Sequence, residues 1–174
     1  MKSIEQTLTG GHPNSLGNTV EVVKMILSDH SHFRELFECY FSDNEVVRLR
    51  VSNAMKRIFK ENKNLLIPFL DRFLNEISNI EQASTKWTLA QLYLWMHKDM
   101  NNDQFSKAKA IIKNYLETEK DWIVLNNSME TLSIWSLNDD DLKTWLKPHL
   151  EKLKKDARVS VSKKALKCFQ KIYV

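Results

Sequence analysis

Apolar residues recur at three- and four-residue steps along almost the whole chain, the spacing that gathers them on one side of an α-helix. The spacing predicts helices over 18–28, 31–41, 44–61, 64–79, 82–98, 103–118, 121–135, 139–154 and 158–172, with a further short helix over 2–8. Start signals fall where these segments begin. Asn18 with Glu21 resembles a capping box. Ser31, Asp43, Asp103, Asp121 and Asp139 bring oxygens to the free N–H groups of a first turn. Pro68 and Pro148 are placed in the first turns of their helices, where a missing N–H costs least. All three glycines lie between Gly10 and Gly17, and the 157 residues from Asn18 onward have none. Tight hairpins draw heavily on glycine for positive φ, so this distribution favours helices joined by short polar turns. Thr9 to Gly17 is the one obvious loop.

The helices also repeat. Small residues recur in alternate helices at Ala54, Ala90, Ser128 and Ala165, separated by 36, 38 and 37 residues. Large apolar side chains flank each of them, as Val51 and Ile58 flank Ala54. A constant period of this length marks stacked helix pairs, because one pair alone cannot bury its apolar face. The run Asp43-Asn44-Glu45-Val46-Val47-Arg48 through Ala54 and Ile58 resembles the second helix of a HEAT repeat, and Asp156-Ala157-Arg158-Val159 through Ala165 is a weaker copy. Leu66-Ile67-Pro68-Phe69-Leu70 and Leu146-Lys147-Pro148-His149-Leu150 resemble the proline-bearing first helices. The middle pairs lack the Val-Arg signature and rest on spacing alone. The resemblance implies an all-α fold, an α-α superhelix of about four HEAT-like pairs. It would be one domain over 1–174, with loop and cap in 1–30 and the pairs in 31–174. It also implies that second helices line a concave inner face.

Composition narrows the function classes. No apolar run approaches a membrane span, and the first residues lack the apolar core of a signal peptide, so a soluble cytoplasmic protein is expected. Cys39 and Cys168 belong to no CxxC and read as structural thiols of a reducing compartment. The net charge of +4 is unevenly spread. From Leu142 to Val174 ten Lys or Arg residues face only Glu151 and Asp156, a local +8 that leaves −4 for the rest. A basic end on a slightly acidic body attracts anionic partners.

Candidate sites follow from these patterns. Gly10, Gly11, His12, Asn14, Ser15 and Gly17 form a loop running into a helix, a geometry that can hold an anion or small polar ligand on backbone amides. Gly17 is followed by Asn18-Thr19 and no lysine, so this is no P-loop, and a self-contained tight turn is the simpler account. Lys163, Lys167 and Lys171, with Lys164 beside them, form one stripe on the last helix. Arg50, Lys56, Arg57, Lys60 and Lys63 form a second basic group. These stripes suit a basic groove for nucleic acid or an acidic peptide, or else a solvated outer face. Tyr93 and Trp95 sit in a segment apolar almost all round, which leaves one of them to face a partner.

Enzyme signatures are absent from the sequence. Some HEAT-like solenoids excise alkylated bases and need a carboxylate beside aromatic residues. Asp121-Trp122 is the nearest pairing, and a helix cap beside a packing residue explains it more simply. His30, His32 and Glu35 lack any metal-binding framework, and Asp139-Asp140-Asp141 lacks the glycine and glutamate of a calcium loop. The expectation is a non-catalytic protein-binding scaffold without cofactor or metal, with nucleic-acid binding, including a glycosylase-like protein, as the alternative.

Overall fold

The structure, a computed structural model, describes residues 2–174. The described residues are 81% helical and contain no strand. Ten α-helices follow in order: α1 Ile4–Leu8, α2 Thr19–Ser28, α3 Phe33–Glu38, α4 Glu45–Asn62, α5 Leu70–Asn75, α6 Ala83–Met96, α7 Asn102–Thr118, α8 Trp122–Trp135, α9 Asp140–Leu153 and α10 Val159–Tyr173. Among the described residues, no helix is long and apolar enough to cross a membrane. Contacts divide the chain into two units, Met1–Thr88 and Leu89–Val174.

In the first unit α4 packs against α1 and α2. Val47, Val51, Ala54, Met55 and Ile58 form its buried stripe. A second cluster joins α3 to the α5 region: Phe37 meets Phe69 and Phe73 at ring distances of 4.7 and 5.0 Å. Arg72 lies over Phe37 and closes the edge of the cluster by bonding Glu38 and Glu76. In the second unit α8 packs against α7, α9 and α10, and α9 packs against α10. The Thr131 hydroxyl reaches the Ala90 carbonyl at 2.8 Å, a contact that only small residues at the crossing allow. All four repeat anchors, Ala54, Ala90, Ser128 and Ala165, are fully buried.

Most element boundaries match the hydrophobic spacing, with three physical corrections. The expected helices over 31–41 and 64–79 are each broken into short α segments and single 3-10 turns. In the second, Asn62 leaves helical geometry (φ −152°, ψ 84°), and Pro68 starts a 3-10 turn over Ile67–Phe69. Pro148 is in the interior of α9 rather than its first turns, because the Asp139 carboxylate caps that helix well upstream by accepting from Leu142 N. Asn18 makes no side-chain cap; its amide donates to the Thr7 carbonyl and ties α1 to the start of α2. Asp121 and Asp139 cap as expected, whereas Asn44 and Asn101 take the capping places beside Asp43 and Asp103.

The Ser128 hydroxyl is buried without a partner. Ser128→Ala is therefore expected to leave stability nearly unchanged. Ser128→Leu should cost about 1–3 kcal/mol by overpacking the crossing. Urea denaturation of the two variants checks the difference.

Candidate functional site

Arg50 lies at i+3 from Val47 and i−4 from Ala54, so helical geometry turns it into the buried side of α4. It is 0% exposed. The segment between α1 and α2 wraps its guanidinium. Nη1 donates to the Leu8 and Gly10 carbonyls, both at 2.6 Å, and Nη2 donates to the His12 carbonyl at 3.2 Å. Nε reaches the Ser15 carbonyl at 3.3 Å, and the Ser15 hydroxyl lies 3.4 Å from Nη2. None of these acceptors is a carboxylate. Within the turn itself, Ser15 Oγ donates to the His12 carbonyl and accepts from the Gly17 amide, and the Asn14 amide donates to His12 Nδ1.

This cage explains the glycines. Gly10, Gly11 and Gly17 have φ of 79°, 73° and 50°, the left-handed region that side chains disfavour. A Cβ on Gly17 would lie 2.6 Å from Arg50 Cζ. The segment thus closes around a guanidinium, and Arg50 has no surface to offer a partner. Tyr93 is likewise fully buried, while Trp95 is half-buried. The chain buries these two candidates because each occupies an inward position of its helix.

The other basic residues of α4 remain outside. Arg57 and Lys60 are exposed, and Lys56 is half-buried. Burial lowers the Lys56 ammonium pKa, and the charges of Lys60 and Arg57 push it the same way. In the second unit Lys163, Lys167 and Lys171 are exposed on α10. Lys164 instead closes onto Glu130 of α8. Burial alone would raise the Glu130 carboxyl, but the Lys164 hydrogen bond and the fields of Lys164, Lys171 and Lys167 outweigh it and hold it low. Val159 and Leu166 are 62% and 45% exposed on the same helix, and Trp122 is 48% exposed at the start of α8.

Chemistry-bearing groups elsewhere have structural occupations. The Asp121 carboxylate accepts from Ile123 N and Val124 N at 2.8 and 3.0 Å, the work of a cap. His32 lies 3.6 Å from Asp29 and 3.7 Å from Glu35. Among the described residues, no group of three or more His, Cys, Asp or Glu side chains is arranged to hold a metal. Two features were readable in principle. Arg50 stands in an apolar stripe, which calls for buried acceptors. Glu130 and Lys164 are 34 positions apart, close to the spacing of the small residues. No family model matches the chain, and neither a curated protein nor a solved structure is detectably similar to it.

Gly17→Ala is expected to destabilise the first unit through both its φ and its clash. Arg50→Met should cost about 1–3 kcal/mol by leaving buried carbonyls unanswered. The two changes disturb one cage, so together they should cost at least about 0.5 kcal/mol less than their sum. A double-mutant cycle in urea measures this coupling. The Glu130 carboxyl has a folded pKa below its ordinary 4.5, so its pairing stabilises above that value and is lost as pH falls through the folded one. Lys164→Met should therefore flatten that part of the acid limb of stability, read as the urea midpoint against pH.

Proposed function

We propose that this chain is a non-catalytic, HEAT-like helical-repeat module that binds another protein through the exposed faces of its second helices. The cross-links between elements support the repeat. Arg48 to Gln82, Arg72 to Glu38, Gln91 to Asn127, Lys164 to Glu130 and Arg158 to Lys120 each join residues 34–38 positions apart. About four pairs, with α2 as the N-terminal cap, account for that period. The buried free thiols support a cytoplasmic setting: burial, with the fields of nearby glutamates, pushes Cys39 up to about 12, beyond ready oxidation.

The observation that carries the binding role is the outward face of α10. Val159, Lys163, Leu166 and Gln170 follow at steps of four, three and four, opposite the buried stripe Val161, Ala165, Cys168 and Ile172. Lys163 stands among apolar side chains there, Lys167 and Lys171 flank it, and none of the three has a carboxylate within ion-pair distance among the described residues. This combination suits an acidic, amphipathic segment of a partner protein: the aliphatic groups bury its apolar residues, and the lysines meet its carboxylates. The lysine row alone also suits nucleic acid, which makes that the second reading.

Replacing Lys163, Lys167 and Lys171 together with glutamate should abolish capture of a bound protein while leaving the circular dichroism spectrum unchanged. Leu166→Ser should weaken protein capture severalfold and leave any nucleic-acid binding intact. Association with duplex DNA that is tight, falls linearly in log K with log salt and ignores Leu166→Ser would favour the second reading instead. Both partners can be compared in pull-down and fluorescence-anisotropy titrations.

A further inference from the structure

Arg50 brings a full positive charge beneath an exposed turn, and nothing negative answers it. Its acceptors are four carbonyls and one hydroxyl. Such dipoles solvate a charge without cancelling it, so its field passes outward through the thin segment that covers it. Arg50 has no carboxylate within ion-pair distance among the described residues.

The turn adds donors on its outer side. Every peptide bond in the described chain is trans, so an amide N–H points opposite to the preceding carbonyl. The Gly10 carbonyl points at Arg50 Nη1, and the Gly11 N–H therefore points away from the guanidinium. The amides of Gly10, Gly11 and His12 donate to no group among the described residues, and all three residues are exposed. His12 Nδ1 accepts from the Asn14 amide at 3.2 Å, which leaves the proton of the neutral ring on Nε2 as a further donor. Unclaimed amides in an exposed turn above an unneutralised cation together suit an anion.

We infer that the outer side of the Gly10–His12 turn, backed by the buried Arg50, binds a small oxyanion: a phosphate or carboxylate group. Arg50 supplies the charge through the turn and does not touch the anion. The amides and the His12 ring make the contacts. This site is on the first unit and stands or falls independently of the protein-binding role.

Amide spectra of the ¹⁵N-labelled full chain test it, titrated with inorganic phosphate and separately with acetate against chloride at constant ionic strength. The chain has only three glycines, so the Gly10 and Gly11 signals are easily assigned. Saturable shifts centred on Gly10, Gly11 and His12 are expected with at least one anion, and comparing the two arms tells phosphate from carboxylate chemistry. Arg50→Gln should weaken binding about tenfold or more, and His12→Ala severalfold with the rest of the spectrum unchanged. Linear, unsaturating shifts with both anions, or shifts led by the α10 lysines, would overturn the site whether or not the Arg50 variant folds. Undiminished affinity in a folded Arg50→Gln protein would overturn the role of the buried charge.

Discussion

A guanidinium taken out of water must have its N–H donors answered, because an unsolvated buried charge costs far more than a domain of this size can bear. Arg50 meets that requirement with backbone rather than with an acid, and the N-terminal segment takes its form from doing so. Four carbonyls converge on one side chain within eight residues of chain, from Leu8 to Ser15. A chain can aim so many carbonyls inward only by reversing direction repeatedly, and the positive φ values of Gly10, Gly11 and Gly17 provide those reversals. Gly17 then has a second duty, since any side chain there would enter the space of the guanidinium. Arg50 is thus the post around which the connection from α1 to α2 is wound, while Asn18 fastens the two ends through Thr7.

The helices beyond this segment obey a different constraint, close approach. Ala90, Ser128 and Ala165 in the second unit leave room for a neighbouring backbone, which is why a threonine hydroxyl can bond a helical carbonyl across the α6–α8 contact. The polar links between neighbouring elements repeat at nearly the same separation but differ in chemistry: a guanidinium to an amide at Arg48 and Gln82, two amides at Gln91 and Asn127, an ammonium to a carboxylate at Lys164 and Glu130.

That difference explains how much was legible beforehand. Helix positions rest on local spacing and on caps such as Asp121 and Asp139, so both could be read directly. The 64–79 segment could not, because spacing marks an apolar side without saying whether the backbone behind it, with Pro68 in it, will take 3-10 turns instead of a continuous helix. The candidate site was legible in its parts and hidden in its assembly. The glycine loop was visible as a loop, and Arg50 was visible as a cation in an apolar stripe. Their meeting depends on contacts across 35 to 42 positions, which no local pattern encodes. Arg50 was grouped with Lys56 and Arg57 by charge, although its helical position separates it from them. Of Tyr93 and Trp95 only Trp95 keeps an exposed edge, and spacing alone could not choose between them because their helix is apolar almost all round.

Charge distribution joins the two ends of the chain. Like charges four residues apart weaken a helix by a few tenths of a kcal/mol per pair, and α10 places Lys163, Lys167 and Lys171 in that arrangement. Glu130 relieves the row through Lys164, and the depressed proton affinity of its carboxyl shows that the neighbouring lysines reach it as well. In the first unit burial is the main cause of the lowered Lys56 pKa, with Lys60 and Arg57 adding to it, and Arg50 is answered by neutral acceptors alone. Stability alone does not require the lysine row, since glutamates could be interleaved along α10. Positive charge left unneutralised beside exposed amides in one place and exposed aliphatic groups in the other is a constraint that folding does not impose.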